Sequence, residues 1–203
     1  MDNKKVLFVL LDEYADWEAA SLAAALNEEP EGQGQKFDVK TVSLTKEPIK
    51  SIGGFTVLPD YGVDAAPTDF VGLILIGGNS WRKEESNRVM ELVDKAFEKK
   101  AVVGAICDAT AFLGRNGLLN DIEHTSNYFE DLKETAGDRY SNEIGYLQQQ
   151  AVRSGQIITA NGTAFLEFGK RVLEALDAAP QEEIDEWYGY FKQGYHEYTK
   201  TKQ

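Results

Sequence analysis

One cysteine occurs among the 203 residues, and its neighbours place it where a thiol can do chemistry. Cys107 ends the run Ala101-Val102-Val103-Gly104-Ala105-Ile106, and Asp108-Ala109-Thr110-Ala111-Phe112-Leu113-Gly114 follows it directly. The first half is short and uninterrupted, as a parallel strand covered on both faces requires. The second half reads as a helix. A thiol on this corner lies at a helix N-terminus, where unpaired N–H groups and the positive end of the dipole favour the thiolate. Ala105 and Ala109 are small enough for the tight turn of a nucleophile elbow. A free cysteine is also among the residues most often buried as a small hydrophobe, so the corner alone leaves both readings open.

Two further stretches could share a site with it. Val6-Leu7-Phe8-Val9-Leu10-Leu11 runs into Asp12-Glu13-Tyr14-Ala15-Asp16-Trp17-Glu18, an acidic turn before an alanine- and leucine-rich helix over Ala19 to Leu26. Acids gather there as the helix dipole favours, and on that ground alone Glu18 is a solvated first-turn acid. Phe70 to Ile76 is the most apolar stretch and ends in Gly77-Gly78-Asn79-Ser80. A glycine pair after a buried strand makes a turn, and it also lets backbone approach a ligand or a reacting group.

The elements that must position these residues alternate. Glu29 to Gln35 is loop chemistry, and Phe37 to Val42 alternates like a half-exposed strand. Ile52 to Val57, with its glycine pair, predicts a small hairpin or bent strand, and Pro59 to Pro67 a loop. Trp81 to Lys100 predicts one long amphipathic helix with Val89, Met90, Val93 and Phe97 on its apolar face. A helix over Tyr128 to Gly137, a hairpin about Ser154-Gly155 and a helix carrying Phe165, Phe168, Val172, Leu173 and Leu176 complete the series. Strands alternating with helices imply an α/β fold with a mainly parallel, doubly covered sheet. After Pro180 the chain changes character: Ile184, Trp187, Tyr188, Phe191, Tyr195 and Tyr198 fall close to one helical stripe. A domain over 1–179 is therefore followed by an aromatic segment, 180–203, expected to cover a groove on the body or on a second subunit.

Composition narrows the function. With 21 Lys and Arg against 34 Asp and Glu the net charge is −13. Such a surface repels phosphate backbones and anionic lipid heads, so neither nucleic acid nor membrane is an expected partner. No apolar run reaches the roughly 20 residues of a membrane span, and the N-terminal one is too short and acidic in its flank for a signal peptide. One cysteine allows no internal disulfide, and with only His124 and His196 a metal site is poorly supplied. The expected compartment is the reducing cytosol.

Three landmarks in order, Leu10 to Glu18, Leu75 to Ser80 and Ala105 to Leu113, resemble the ThiJ/PfpI family of the class I glutamine-amidotransferase-like superfamily. The resemblance runs from about Lys4 to Ala178, takes in Ile158 to Phe168, and leaves the aromatic tail uncovered. It implies a flavodoxin-like three-layer sandwich, often a homodimer, with Cys107 as the reactive thiol and no cofactor or metal. Glu18 matches the family's site acid, a protonated carboxyl that hydrogen-bonds the sulfur. Gly78 and Asp108 match the positions whose N–H groups form an oxyanion hole, with Gly77 and Asn79 beside them.

The departures are equally specific. Amidase- and protease-like members carry histidine directly after the cysteine, where this chain has Asp108, an acid that would raise the thiol's pKa by like-charge repulsion. In the deglycase-like branch a histidine lies further on, and the matching stretch here is His124-Thr125-Ser126-Asn127, with Asn127 at the histidine position. His124 is the nearby substitute, while His196 belongs to the tail and the surface. The resemblance implies a cysteine-dependent hydrolase or amidotransferase-like protein acting on a small-molecule or peptide carbonyl. The alternative is a stress or redox protein whose cysteine oxidises without turnover. A third is a binding module using the pocket at Gly77-Gly78.

Overall fold

Val6, Phe8 and Leu10 face one way along the first strand and Leu7, Val9 and Leu11 the other, and all six are buried. A strand apolar on both sides needs cover on both sides. The computed structural model, which describes residues 3–29 and 34–200, supplies it. In chain order the elements are β1 (Lys4–Val9), α1 (Asp16–Asn27), β2 (Phe37–Ser43), a hairpin of β3 (Ile49–Lys50) and β4 (Thr56–Val57), β5 (Tyr61–Gly62) and β6 (Phe70–Leu75). Then come α2 (Met90–Lys99), β7 (Val102–Ile106), α3 (Asp108–Arg115), α4 (Phe129–Ala136), β8 (Ala151–Ser154), β9 (Ile157–Ala160), α5 (Phe165–Ala175), α6 (Gln181–Gln193) and α7 (Tyr195–Lys200). Pro30, Glu31, Gly32 and Gln33 of the expected loop, and the last three residues of the tail, lie outside the described residues.

Seven strands form one sheet in the order β5-β2-β1-β6-β7-β9-β8, parallel except for β8, which pairs antiparallel with β9. The two apolar sets of each central strand feed two cores. Leu7, Val9, Leu73, Leu75, Val103 and Ala105 pack with α2 and α3. Phe8, Ile74, Ile76 and Ile106 pack with α1 and α5, where Phe168 comes so close to β7 that a Cβ on Gly104 would meet its ring at 2.8 Å. This is the expected flavodoxin-like three-layer sandwich. Because β1, β6 and β7 lie side by side and run parallel, their C-terminal ends deliver Glu13–Glu18, Gly77–Asn79 and Cys107 to one edge, where ligands of open α/β sheets bind.

Two expectations about helices are corrected. Trp81 to Lys100 is not one helix: 3-10 turns over Asn79–Arg82 and Glu84–Val89 precede α2, with Lys83 extended between them. Trp81 is drawn into the core, where its Nε1 donates to the Ile76 carbonyl at 2.6 Å, and Ser86 Oγ donates to the carbonyls of Trp81 and Lys83. Side-chain bonds to local backbone of this kind compete with helical ones. The tail stripe is also broken. Gly194, at φ +80°, ends α6, and α7 folds back until Tyr198 lies against Gly189.

The tail's buried anchors are few. Ile184 is 3% exposed, and Trp187 fills the space that a side chain on Gly169 would occupy, with a Cβ there meeting its ring at 2.8 Å. Tyr190, Phe191 and Tyr195 are exposed, with Tyr190 in contact with the other two. Among the described residues no helix is long and apolar enough to cross a membrane. Urea unfolding should show Ile184→Ala costing about 2–4 kcal/mol and Tyr190→Ala less than about 1 kcal/mol. Equal costs would mean that the exposed rings anchor the tail as firmly as the buried ones.

Candidate active site

The corner after β7 is strained. Cys107 adopts φ 60° and ψ −132°, a conformation that L-residues avoid, and several bonds keep it there. Its N–H donates to the Ala160 carbonyl of β9 at 3.0 Å, while its carbonyl accepts from Thr110 N–H at 3.0 Å and Thr110 Oγ1 at 2.7 Å. The side chain is thereby turned out of the strand and stands half-buried at the start of α3.

Glu18 is the second member. It lies in the first turn of α1 but is fully buried, pointing into the sheet edge rather than into water. Its Oε2 accepts from Gly77 N–H at 2.8 Å, and its next neighbour is the Cys107 side chain. Two glycines make room for the pair. A Cβ on Gly77 would fall 2.4 Å from Cys107 Cβ and 2.5 Å from Glu18 Oε2; one on Gly162 would fall 3.0 Å from the sulfur and 2.9 Å from Glu18 Oε1. Gly78, at φ +153°, bridges to Tyr14 in an antiparallel step. The bonds of that step run from Ala15 N–H to the Gly77 carbonyl and from Asn79 N–H to the Glu13 carbonyl, so the Gly78 N–H stays outside the ladder.

Asn127 joins them from the loop before α4. Its Nδ2 donates to Cys107 Sγ at 3.2 Å, and its Oδ1 accepts from Gly162 N–H at 2.9 Å. The second bond fixes which end of the amide faces the sulfur. The Gly162 carbonyl in turn accepts from Trp17 Nε1 at 3.0 Å. Asp108 turns aside: Arg82 Nε and Nη2 hold its two oxygens at 2.8 and 3.0 Å, and the same Nη2 reaches both oxygens of Asp131 on α4.

His124 does not reach the sulfur. It is fully buried, with Nδ1 donating to the Ile122 carbonyl at 2.9 Å and Nε2 on the Tyr140 hydroxyl at 2.8 Å, and burial lowers its pKa. Residues two apart in extended backbone share a side. His124 and Ser126 both contact Tyr146, and Asn127, one residue on, faces the other way toward Cys107. His196 is exposed in α7.

Cys107 opens into a cleft of about 420 Å³ lined also by Gly78, Asn79, Asp108 and Asn127. Gly77 supports it from behind through the Glu18 bond. Arg82, Asp131, Trp17, Ile52 and Tyr128 complete the walls. These five carry no local signal of a role: Arg82 and Asp131 are 49 residues apart and meet only through the fold.

The electrostatics of the pair run in one direction. Burial raises the Glu18 carboxyl to about 7, against opposing bonds from Cys107 and Gly77. Burial first, and the Glu18 charge second, push the Cys107 thiol up to about 12. The like-charge effect expected of Asp108 comes last, behind that of Glu18, and Arg82 holds that carboxylate. The pair therefore gives up a first proton near neutrality and keeps the second far longer.

The stability consequence has a definite sign. Glu18 titrates near 7 in the folded protein against an ordinary 4.5, so the unfolded chain ionises first as pH rises. The contribution of Glu18 to folding is therefore greatest below 4.5 and is lost as pH climbs through about 7. That gap corresponds to a loss on the order of 3 kcal/mol. Urea midpoints measured across this range should fall in the wild type relative to Glu18→Gln, whose amide does not titrate. A difference that stays constant with pH would show that Glu18 keeps its ordinary pKa.

Comparison with known proteins places the chain in a family. The model of the DJ-1/PfpI family matches residues 4–175. The chain is 40% identical over 197 residues to the uncharacterized protease YdeA of Bacillus subtilis, covering 93% of both proteins, and 33% identical to the uncharacterized protease YoaZ of the same organism, covering 93% of this chain and 90% of that one. The crystal structure of a thiJ/pfpI family protein from Bacillus anthracis superposes with a TM-score of 0.88 at 32% identity, over 98% of this chain and 95% of the other. A corner that strains a cysteine against a buried glutamate is thus met in a chain that belongs to the DJ-1/PfpI family.

Proposed function

We propose that the chain is a cysteine-dependent hydrolase of amide-type carbonyl compounds. The observation that carries this reading is the strained Cys107 held against a fully buried Glu18; the protease names of the two Bacillus subtilis relatives support it.

Between about 7 and about 12 the pair holds one proton. At rest the weaker acid, the thiol, keeps it; the nucleophilic tautomer moves it to Glu18 and leaves the charge on Sγ, where Asn127 Nδ2 and the Asp108 N–H face the sulfur. The thiolate attacks the substrate carbonyl carbon and forms a C–S bond. The oxygen gains charge beside the N–H groups of Gly78 and Asp108, donors already fixed in place before reaction. As the C–N bond breaks, the proton from Glu18 leaves with the amine, and Glu18 becomes a carboxylate. Water then attacks the thioester, giving one proton to Glu18 and its hydroxyl to the acyl carbon, and the thiolate is released. No imidazole takes part, which gives the proton traffic to Glu18 alone.

Turnover of a panel of peptide amides and small amides should fall to background in Cys107→Ala. In Asn127→Ala the alkylation rate of Cys107 near pH 8 should drop roughly tenfold, since a donor to the charged sulfur is lost. Wild-type protein that turns over no member of a broad panel would sink the hydrolase reading.

A further inference from the structure

A second cleft, of about 500 Å³, adjoins the first, and Arg82 lines both. Its character is set by two other arginines. Arg115, the last residue of α3, is half-buried; its Nη2 donates to Ser86 Oγ at 2.7 Å and Asn87 Oδ1 at 3.0 Å, and its guanidinium lies over the Phe112 ring, 5.4 Å from the centroid. Arg139 follows α4 and donates through Nη1 to the Arg115 carbonyl at 3.4 Å. Both line the cleft.

Among the described residues neither arginine is ion-paired with a carboxylate, although acids outnumber cations 34 to 21, Arg82 holds two and Arg88 and Arg171 hold one each. Burial and the neighbouring Arg139 charge hold Arg115 below its usual pKa, so two like charges are kept together with no carboxylate in direct contact among the described residues. Guanidinium forks match the paired oxygens of carboxylate and phosphate, and Thr135 adds a hydroxyl to the wall. Glu84 and Asp138 also line the cleft. They disfavour a polyanion and suit a ligand that carries a hydroxyl or ammonium beside its anionic end.

We propose that this cleft binds a small molecule through one oxyanion, carboxylate or phosphate, held between Arg115 and Arg139. The site is distinct from the thiol chemistry and does not depend on it.

The test is a titration of 15N-labelled full-length protein with sodium phosphate and, separately, sodium acetate, with sodium chloride keeping ionic strength constant. Saturable shifts at the amides of Asn87, Arg115 and Arg139 are expected, with binding weakened about tenfold in Arg139→Gln. Arg139 is exposed and carries the test because Arg115→Gln also strips Ser86 and Asn87 of their partner. Cys107→Ser should bind as the wild type does, so loss of the hydrolase reading would leave this result intact. Saturation by phosphate alone assigns a phosphorylated ligand and by acetate alone a carboxylate; either supports the site. Shifts no larger than chloride produces, or an affinity that Arg139→Gln leaves unmoved, overturn it.

Discussion

Glu18 and Cys107 compete for one proton in a pocket too dry to let both ionise. Water would screen and solvate two adjacent anions; here burial raises the cost of charging each group, and the Glu18 charge adds to the cost of ionising the thiol. The rest of the sheet edge can be understood as what holds this pair in place. Gly77 and Gly162 supply the space, the Gly77 N–H pins one carboxyl oxygen, and β9 anchors the backbone of the cysteine. An exposed Glu18 would ionise at its ordinary pKa, and the thiol would have no proton partner.

The polar ring around the pair is built in layers. Asn127 touches the sulfur, Gly162 orients Asn127, and Trp17 Nε1 binds the Gly162 carbonyl. On the opposite wall Arg82 binds Asp108 and Asp131 at once, joining the start of α3 to α4 and withdrawing a carboxylate that would otherwise crowd the thiol. In this member of the DJ-1/PfpI family an amide therefore stands against the sulfur, and a salt bridge neutralises the residue after the cysteine.

Much of this was legible in the chain. The Cys107 corner, the glycine pair after β6 and the strand periods are local signals, written in residues next to one another, and the structure puts their chemistry at one edge as parallel strands must. Other features had no local mark. Arg82 and Asp108 are 26 residues apart, and nothing near either reveals the other. Trp81 reads as the opening of an amphipathic helix, yet its indole is worth more in the core than on a helix surface, and the backbone follows it into 3-10 turns. His124 was a reasonable candidate by distance along the chain, but side-chain direction in an extended segment gave the sulfur to Asn127 instead.

The slot at Gly169 bears on how the molecule is made. Trp187 and Ile184 complete the core on the α1 and α5 face, and they lie C-terminal to every strand of the sheet. Chains fold as they emerge, so a nascent molecule can pair all seven strands and still present an open apolar strip between two helices until α6 has been made. Helix α6 acts as a clasp, and until it docks the slot at Gly169 leaves apolar surface open to other chains.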